Sequence, residues 1–268
     1  MLRDFANLPE RQVHFRHAGA GGVPLLLLHA SPGSSRQLEA LGDALAHTRR
    51  VLATDRPGNG DSQPLPIVQP ETADYASAEW ACLDALGIET IDVYGSHTGA
   101  CIATEMAIQA PSRVRRVILD GIGIFTDEEA AKYLARYAPK IQPDLAGQYL
   151  QWVFQFCRDQ VLFFPWFEPT QENTRGRGLP PAPALHAVVL EVLKSLETYH
   201  LGYNASFRYP ARARLPLLTQ PVLAVAATAD PLRRNLDAAV QLIPNVFTSA
   251  AHDDTATLAV KITDFLDA

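Results

Sequence analysis

Short, strand-prone runs alternate along the first half of the chain with longer stretches in which apolar residues return every three or four positions. Residues 25–28 are four consecutive leucines, as expected of a strand buried on both faces of a parallel sheet. Further strands, less uniformly apolar, are predicted at 13–17, 51–54, 91–94 and 114–119, and later at 221–227 and 246–249. Between them, helical spacing predicts helices ending near His47, over 72–86 with Gly87 as stop, over 100–110 and 232–242, and a last one to Leu266. Gly19 to Gly22 with Pro24 predicts a turn, and Ser34 or Ser35 an N-cap. Strand and helix signals in alternation imply an α/β fold built on a mostly parallel sheet.

The pattern breaks between about 122 and 215. Strand signals vanish there and aromatics accumulate, among them Tyr133, Tyr137, Trp152, Phe156, Phe164 and Trp166. A Pro/Gly/Arg-rich linker over 175–183 separates two helical pieces, the second predicted over 184–201. This predicts a core domain made of 1–121 and 216–268, with a helical cap subdomain, 122–215, inserted into it.

Composition narrows the function. At 268 residues, 47% hydrophobic and 19% charged, the chain is an ordinary globular sequence with enough length for one domain and an insertion. A net charge of −6 offers no basic field to hold nucleic acid or an anionic membrane. Residues 1–16 lack the apolar centre of a signal peptide and no apolar run approaches a membrane span, so a cytoplasmic protein is expected. Cys82, Cys101 and Cys157 have no metal-type spacing and cannot all pair, which fits reduced thiols. The expected partner is a small-molecule substrate; homodimerisation stays open.

Chemistry concentrates in Ile91-Asp92-Val93-Tyr94-Gly95-Ser96-His97-Thr98-Gly99-Ala100. A strand turning directly into a helix forces the residue at the bend into a strained conformation, and glycines two positions either side let the two elements pass. That is the G-x-S-x-G elbow, with His97 in place of serine. Three further segments fit the same pattern: His29-Ala30-Ser31-Pro32-Gly33, Asp55-Arg56-Pro57-Gly58-Asn59-Gly60-Asp61-Ser62, and an acid (Asp230) after a late strand followed by a histidine (His252) before the last helix. With these four motifs the chain resembles the α/β-hydrolase superfamily, in its capped form with an H-G-x-P-G turn, where Ala30 replaces a glycine.

The resemblance implies an α/β-hydrolase fold, no cofactor and no metal, and a catalytic set of His97, Asp230 and His252, with Asp230 orienting His252. It also implies an oxyanion hole formed by the backbone N–H groups of Ser31 and Thr98. Replacing the hydroxyl by imidazole leaves that hole intact and changes the attacking atom. His97 then serves as a nucleophile, as a general base on water or a carbon acid, or in binding alone, and the sequence leaves all three open. The expected reaction is hydrolysis of an ester, amide, lactone or C–C bond in a small carbonyl compound. The competing readings are a lyase, isomerase or decarboxylase in which His97 and His252 only move protons, a degenerate binding protein, and a variant of a serine enzyme. Two histidines and Asp230 also match a metal ligand set, though the acid is expected behind a histidine and not facing the cavity. Asp120, at the end of a strand on the same edge, is a second candidate acid. Ser96 is a minor candidate nucleophile. His29, Trp152, Arg158, Trp166 and Tyr199 are expected to line the substrate pocket, with His200 a further candidate, and Arg158 is the residue expected to meet a substrate carboxylate.

Overall fold

In a computed structural model of the chain, which describes residues 1–248 and 251–268, eight strands form one sheet in the order β1-β2-β4-β3-β5-β6-β7-β8. They are β1 (Leu2–Asn7), β2 (Gln12–Ala18), β3 (Leu25–Leu28), β4 (Val51–Thr54), β5 (Ile91–Ser96), β6 (Val114–Asp120), β7 (Val222–Val225) and β8 (Val246–Thr248). β1 and β2 are antiparallel to their neighbours, and the pairings from β4 through to β8 are parallel. The fold is the α/β-hydrolase fold expected from the sequence. Ser249, the last residue of the run predicted at 246–249, lies outside the described residues.

β1 carried no sequence signal because five of its six residues are exposed or nearly so, which erases the alternation that marks a half-buried strand. The central strands explain their own legibility. All four leucines of β3 are buried, with Leu26 and Leu28 packing into the layer of α2 (Thr72–Ala85) and α3 (Thr98–Gln109). Leu25 and Leu27 face the other layer, that of α1 (Glu39–Leu45) and α10 (Thr255–Asp267). Ser34 does cap: its hydroxyl accepts from the N–H of Arg36 at the start of a 3-10 turn leading into α1.

The insertion between β6 and β7 is helical, with α4 (Asp127–Arg136), α5 (Gln148–Leu162), α6 (Ala182–Lys194), α7 (Tyr199–Arg208) and the short α8 (Ala211–Arg214). The single helix expected over 184–201 is two, broken at 195–198, where the Ser195 hydroxyl bonds back to the carbonyl of Glu191 and Thr198 donates to the carbonyl of Gly58. The insertion has its own core, a lattice of edge-to-face aromatic contacts centred on Tyr133, Tyr137, Phe156, Tyr203 and Phe207. α9 (Leu236–Leu242) is preceded by a 3-10 turn over Pro231–Asn235. No helix among the described residues is long and apolar enough to cross a membrane.

Candidate active site

The bend after β5 has the geometry its sequence implies. His97 sits at φ 50° and ψ −109°, among the described residues the one non-glycine with positive φ. Such a conformation costs on the order of 1–3 kcal/mol and persists only where its surroundings impose it. The imposing contacts are the two glycines. A Cβ on Gly95 would lie 2.1 Å from the carbonyl oxygen of Gly99, and one on Gly99 would lie 2.2 Å from that of Leu28. The N–H of His97 donates to the carbonyl of Asp120 (2.9 Å), tying the bend to the end of β6.

The raised imidazole, with 34% of its side-chain surface exposed, opens into a cavity of about 520 Å³ between the sheet edge and the insertion. Ala30, Ser31, Asp230 and His252 share its wall with Tyr137, Gln160, Phe164, Arg175, Arg177 and Tyr203. The chain thus brings His97, Asp230, His252 and Ser31 to one place. Thr98 lies at the first position of α3, where its N–H has no acceptor within the helix, as an oxyanion donor requires.

The pairing differs from the sequence expectation. Asp230 does not hold His252: its Oδ2 lies 2.5 Å from Nε2 of His97, and its Oδ1 accepts from the N–H of Leu232. His252 pairs instead with Asp120, Nε2 to Oδ1 at 3.2 Å, and the other oxygen of Asp120 accepts the hydroxyl of Tyr94 at 2.7 Å. The cause is the side chain at the bend. An imidazole is long enough to reach the acid after β7, which a serine hydroxyl is not. Two His–Asp pairs therefore replace one triad.

Electrostatics follow from the pairing. Burial alone would lower the pKa of His97, but the charge and hydrogen bond of Asp230 outweigh it and raise the pKa above the usual histidine range. Burial would raise Asp230, yet the adjacent His97 holds it below the ordinary carboxylate value. For His252 the hydrogen bond it donates to Asp120 dominates and also raises its pKa.

The expected pocket residues are elsewhere. His29 is buried. Its Nδ1–H donates to the carbonyl of Ala30 and its Nε2 accepts the N–H of Arg56, so it staples two loops, and burial with the nearby Arg56 pushes its pKa down to about 3. Trp152 stacks on Phe156, Trp166 donates to the carbonyl of Tyr137, and the fully buried Tyr199 donates to the carbonyl of Pro139, so all three belong to the insertion's own core. Arg158 turns outward to Asp159 (2.7 Å). His200 does not line the cavity either. Aromatic composition cannot separate a core ring from a wall ring, and here the core claimed most of them. The arginines at the cavity are Arg175 and Arg177, from the linker read as a spacer; two guanidinium groups in so short a Pro/Gly stretch were the available signal. Arg175 is fixed by donating to the carbonyls of Gln160 (2.7 Å) and Ala229 (3.5 Å).

Among the described residues, the one group of three His, Cys, Asp or Glu side chains with ligand atoms within 4.8 Å of one another is His14, Asp55 and Asp61. Its carboxylates are already engaged, while Nε2 of His14 is buried without a partner among the described residues. Asp55 accepts from His14 and from the N–H groups of Ser35 and Asp61, and Asp61 pairs with Lys194.

A family described as alpha/beta hydrolase fold matches residues 23–159, about half of the chain. Among curated proteins, 2-hydroxymuconate semialdehyde hydrolase of Pseudomonas putida is 38% identical over 112 residues, covering 39% of this chain and 38% of that protein. A 2-hydroxy-6-oxononadienedioate/2-hydroxy-6-oxononatrienedioate hydrolase of the same species is 34% identical over 119 residues, covering 42% and 41%. The similarity thus spans about two-fifths of these relatives' length. Among solved structures, a hydrolase from Pseudomonas aeruginosa PA01 superposes with a TM-score of 0.76 at 18% identity, covering 99% of this chain and 98% of that one. The enol-lactonase from Burkholderia xenovorans LB400 gives 0.73 at 15% identity, covering 99% and 100%. At such identities the likeness concerns the fold.

Proposed function

The chain belongs to the alpha/beta hydrolase fold family, and from that premise we propose that it hydrolyses a small carbonyl compound bearing an anionic group, with His97 as general base on water. The observation that carries this reading is the carboxylate of Asp230 behind His97. A histidine backed by an acid is the base-and-orienter unit of a serine hydrolase, here moved onto the elbow itself.

With Nε2–H donating to Asp230, the neutral ring keeps its lone pair on Nδ1, which has no hydrogen-bond partner among the described residues. Nδ1 takes a proton from water as the oxygen adds to the substrate carbonyl, and the N–H groups of Ser31 and Thr98 receive the developing oxyanion. Collapse of the tetrahedral intermediate breaks the bond to the leaving group, whose electron pair is protonated by the imidazolium of His252, held by Asp120. One water is consumed, yielding a carboxylic acid and the protonated leaving group, and the proton left on His97 passes through solvent to His252, which restores the starting state. Arg175 and Arg177 supply positive charge at the wall for the substrate's anionic end. The insertion, taken as the cap over 122–215, closes the site against the core of 1–121 and 216–268. The two relatives described above carry the names of hydrolases of a semialdehyde and of an oxo-dioate, which supports a carbonyl substrate.

A second reading, a lyase or isomerase, is favoured by one feature: two His–Asp pairs share a cavity, and together they suffice to move a proton across a substrate without water. Turnover of carbonyl acids in water enriched in oxygen-18 separates the two. Hydrolysis places one label in the new carboxylate and is lost in His97→Ala; an unlabelled product, or full activity of that variant, removes the hydrolytic reading.

A further inference from the structure

Tyr94 is the polar exception in an apolar layer. It stands in β5 on the face packed by α1 and α10, among Leu25, Leu27, Ile118 and Phe265, and is 2% exposed. In the register of β5 on β6, Tyr94 lies opposite Ile118 and Ser96 opposite Asp120, so the Asp120 side chain points to the same face two residues further along. The phenol hydroxyl donates to Oδ2 of Asp120 (2.7 Å), while Oδ1 of the same carboxylate meets Nε2 of His252 (3.2 Å). Asp120 therefore has one oxygen for each partner, and its backbone carbonyl holds the N–H of His97. A phenylalanine would fill the layer equally well; what the hydroxyl adds is a donor to the acid behind His252.

We propose that Tyr94 is a positioning residue that sets the proton affinity of His252 through Asp120. The chain runs from the Tyr94 hydroxyl to one carboxylate oxygen and from the other oxygen to the imidazole. By taking up part of the carboxylate's charge, the phenol weakens the pull of Asp120 on the imidazolium, so that His252 releases its proton more readily to a leaving group. The other acids near His252 are Asp230, from the loop after β7, and its own neighbours Asp253 and Asp254, and the cavity it lines also carries His97, Arg175 and Arg177. These acids add to the pull of Asp120 and burial works against it; Tyr94 differs from all of them in acting on the Asp120 carboxylate itself, through the hydrogen bond to Oδ2. The catalytic use of His252 rests on the reading proposed above; the relay itself does not.

Titration of the His252 ring by NMR, with carbon-13 and nitrogen-15 in histidine and assignment by His252→Gln, reads the relay without any turnover. Tyr94→Phe removes a single oxygen and should raise the His252 midpoint by about half a pH unit. Asp120→Asn should lower it below wild type, and Tyr94→Phe on that background should leave it where Asp120→Asn put it. An unchanged or lowered midpoint in Tyr94→Phe overturns the proposal, as does the same upward shift in the presence of Asp120→Asn. In the unmodified protein the Tyr94 hydroxyl proton should shift with the His252 midpoint, and a flat profile overturns it independently of whether the variants fold. A moved midpoint in an enzyme that hydrolyses nothing leaves the relay standing and removes the hydrolytic reading; active enzyme with an unmoved midpoint does the reverse.

Discussion

Asp230 Oδ2 lies 2.5 Å from His97 Nε2, so the acid that the chain order assigns to the late histidine is held by the residue on the elbow. Serine at position 97 should therefore not recreate a serine hydrolase. The base such a serine would need, His252, has its Nε2 on Asp120, and Asp230 would be left without its partner. His97→Ser is expected to lose the activity of the parent protein without gaining activity toward activated esters. Asp230→Asn, which removes the charge and favours the wrong tautomer, should lower kcat by about two to four orders of magnitude. Single-turnover assays with both variants check this, and an ester-cleaving His97→Ser would mean that His252 swings to the elbow.

Gly121 should be intolerant of a side chain. Its φ of 68° is already unfavourable for alanine, and a Cβ there would lie 2.7 Å from Oδ2 of Asp230 and 2.9 Å from Nε2 of His97. Gly121→Ala is expected to destabilise the protein by about 1–3 kcal/mol and to drive the pair apart. The two effects separate by experiment: denaturant melts give the stability, and the His97 titration midpoint should fall towards the ordinary histidine value as Asp230 withdraws.

The fold was readable because the buried strands announce themselves. β3 and β7 are apolar end to end and β4 is apolar but for Thr54, and only packing on both faces makes sense of that. The elbow was readable for a different reason, that Gly95 and Gly99 answer a steric demand made by backbone atoms alone. The partners of His97 and His252 were not readable. Which acid meets which histidine depends on side-chain reach across the sheet edge, and Asp120 and Asp230 both end on that edge. Arg175 was missed because a linker is judged by its glycines and prolines, whereas its guanidinium is placed by carbonyls of Gln160 and Ala229, far apart in sequence.

The pH dependence should carry the mark of the His97–Asp230 pair. A general base works in its neutral form, so kcat/KM should rise with pH through the raised pKa of His97, above the ordinary value of 6.5. Asp230→Asn removes the cause of the rise and should move that limb to lower pH. Stability has the opposite sense for the histidine. Its folded pKa is raised, so its contribution is full below 6.5 and fades as pH climbs through the folded value. Asp230, depressed below its ordinary 3.8, contributes fully above that value and loses its contribution as pH falls through the folded pKa. The difference in Tm between wild type and His97→Gln should thus be largest between about 4 and 6.5.

Arg175 should act on binding more than on chemistry. Backbone carbonyls fix its guanidinium at the cavity wall, so Arg175→Gln is expected to raise KM for an anionic substrate by roughly tenfold or more while kcat changes little, as for loss of one charge-assisted hydrogen bond. A neutral ester of the same substrate should be handled alike by both proteins. Equal KM values for the acid would place the anionic end elsewhere in the cavity.

Glu79, in the middle of α2, predicts a second pH effect remote from the cavity. It is buried, one carboxylate oxygen accepts the hydroxyl of Thr54 (2.8 Å), and the other has no partner among the described residues. Burial pushes its pKa up to about 7, against the smaller opposing pull of Thr54, Arg56 and Arg11. An acid whose folded pKa is raised destabilises the fold once it ionises. Stability should therefore fall as pH rises from its unfolded value of 4.5 to about 7 and level off above, by an amount on the order of 3 kcal/mol. Glu79→Gln keeps the shape and cannot ionise, so its stability should lack that decline and the variant should be the more stable protein at pH 8. Denaturant melts of both proteins at pH 4.5 and 8 decide it. A variant weaker than wild type at pH 8 would mean that the charge of Glu79 is needed to balance the buried Arg56.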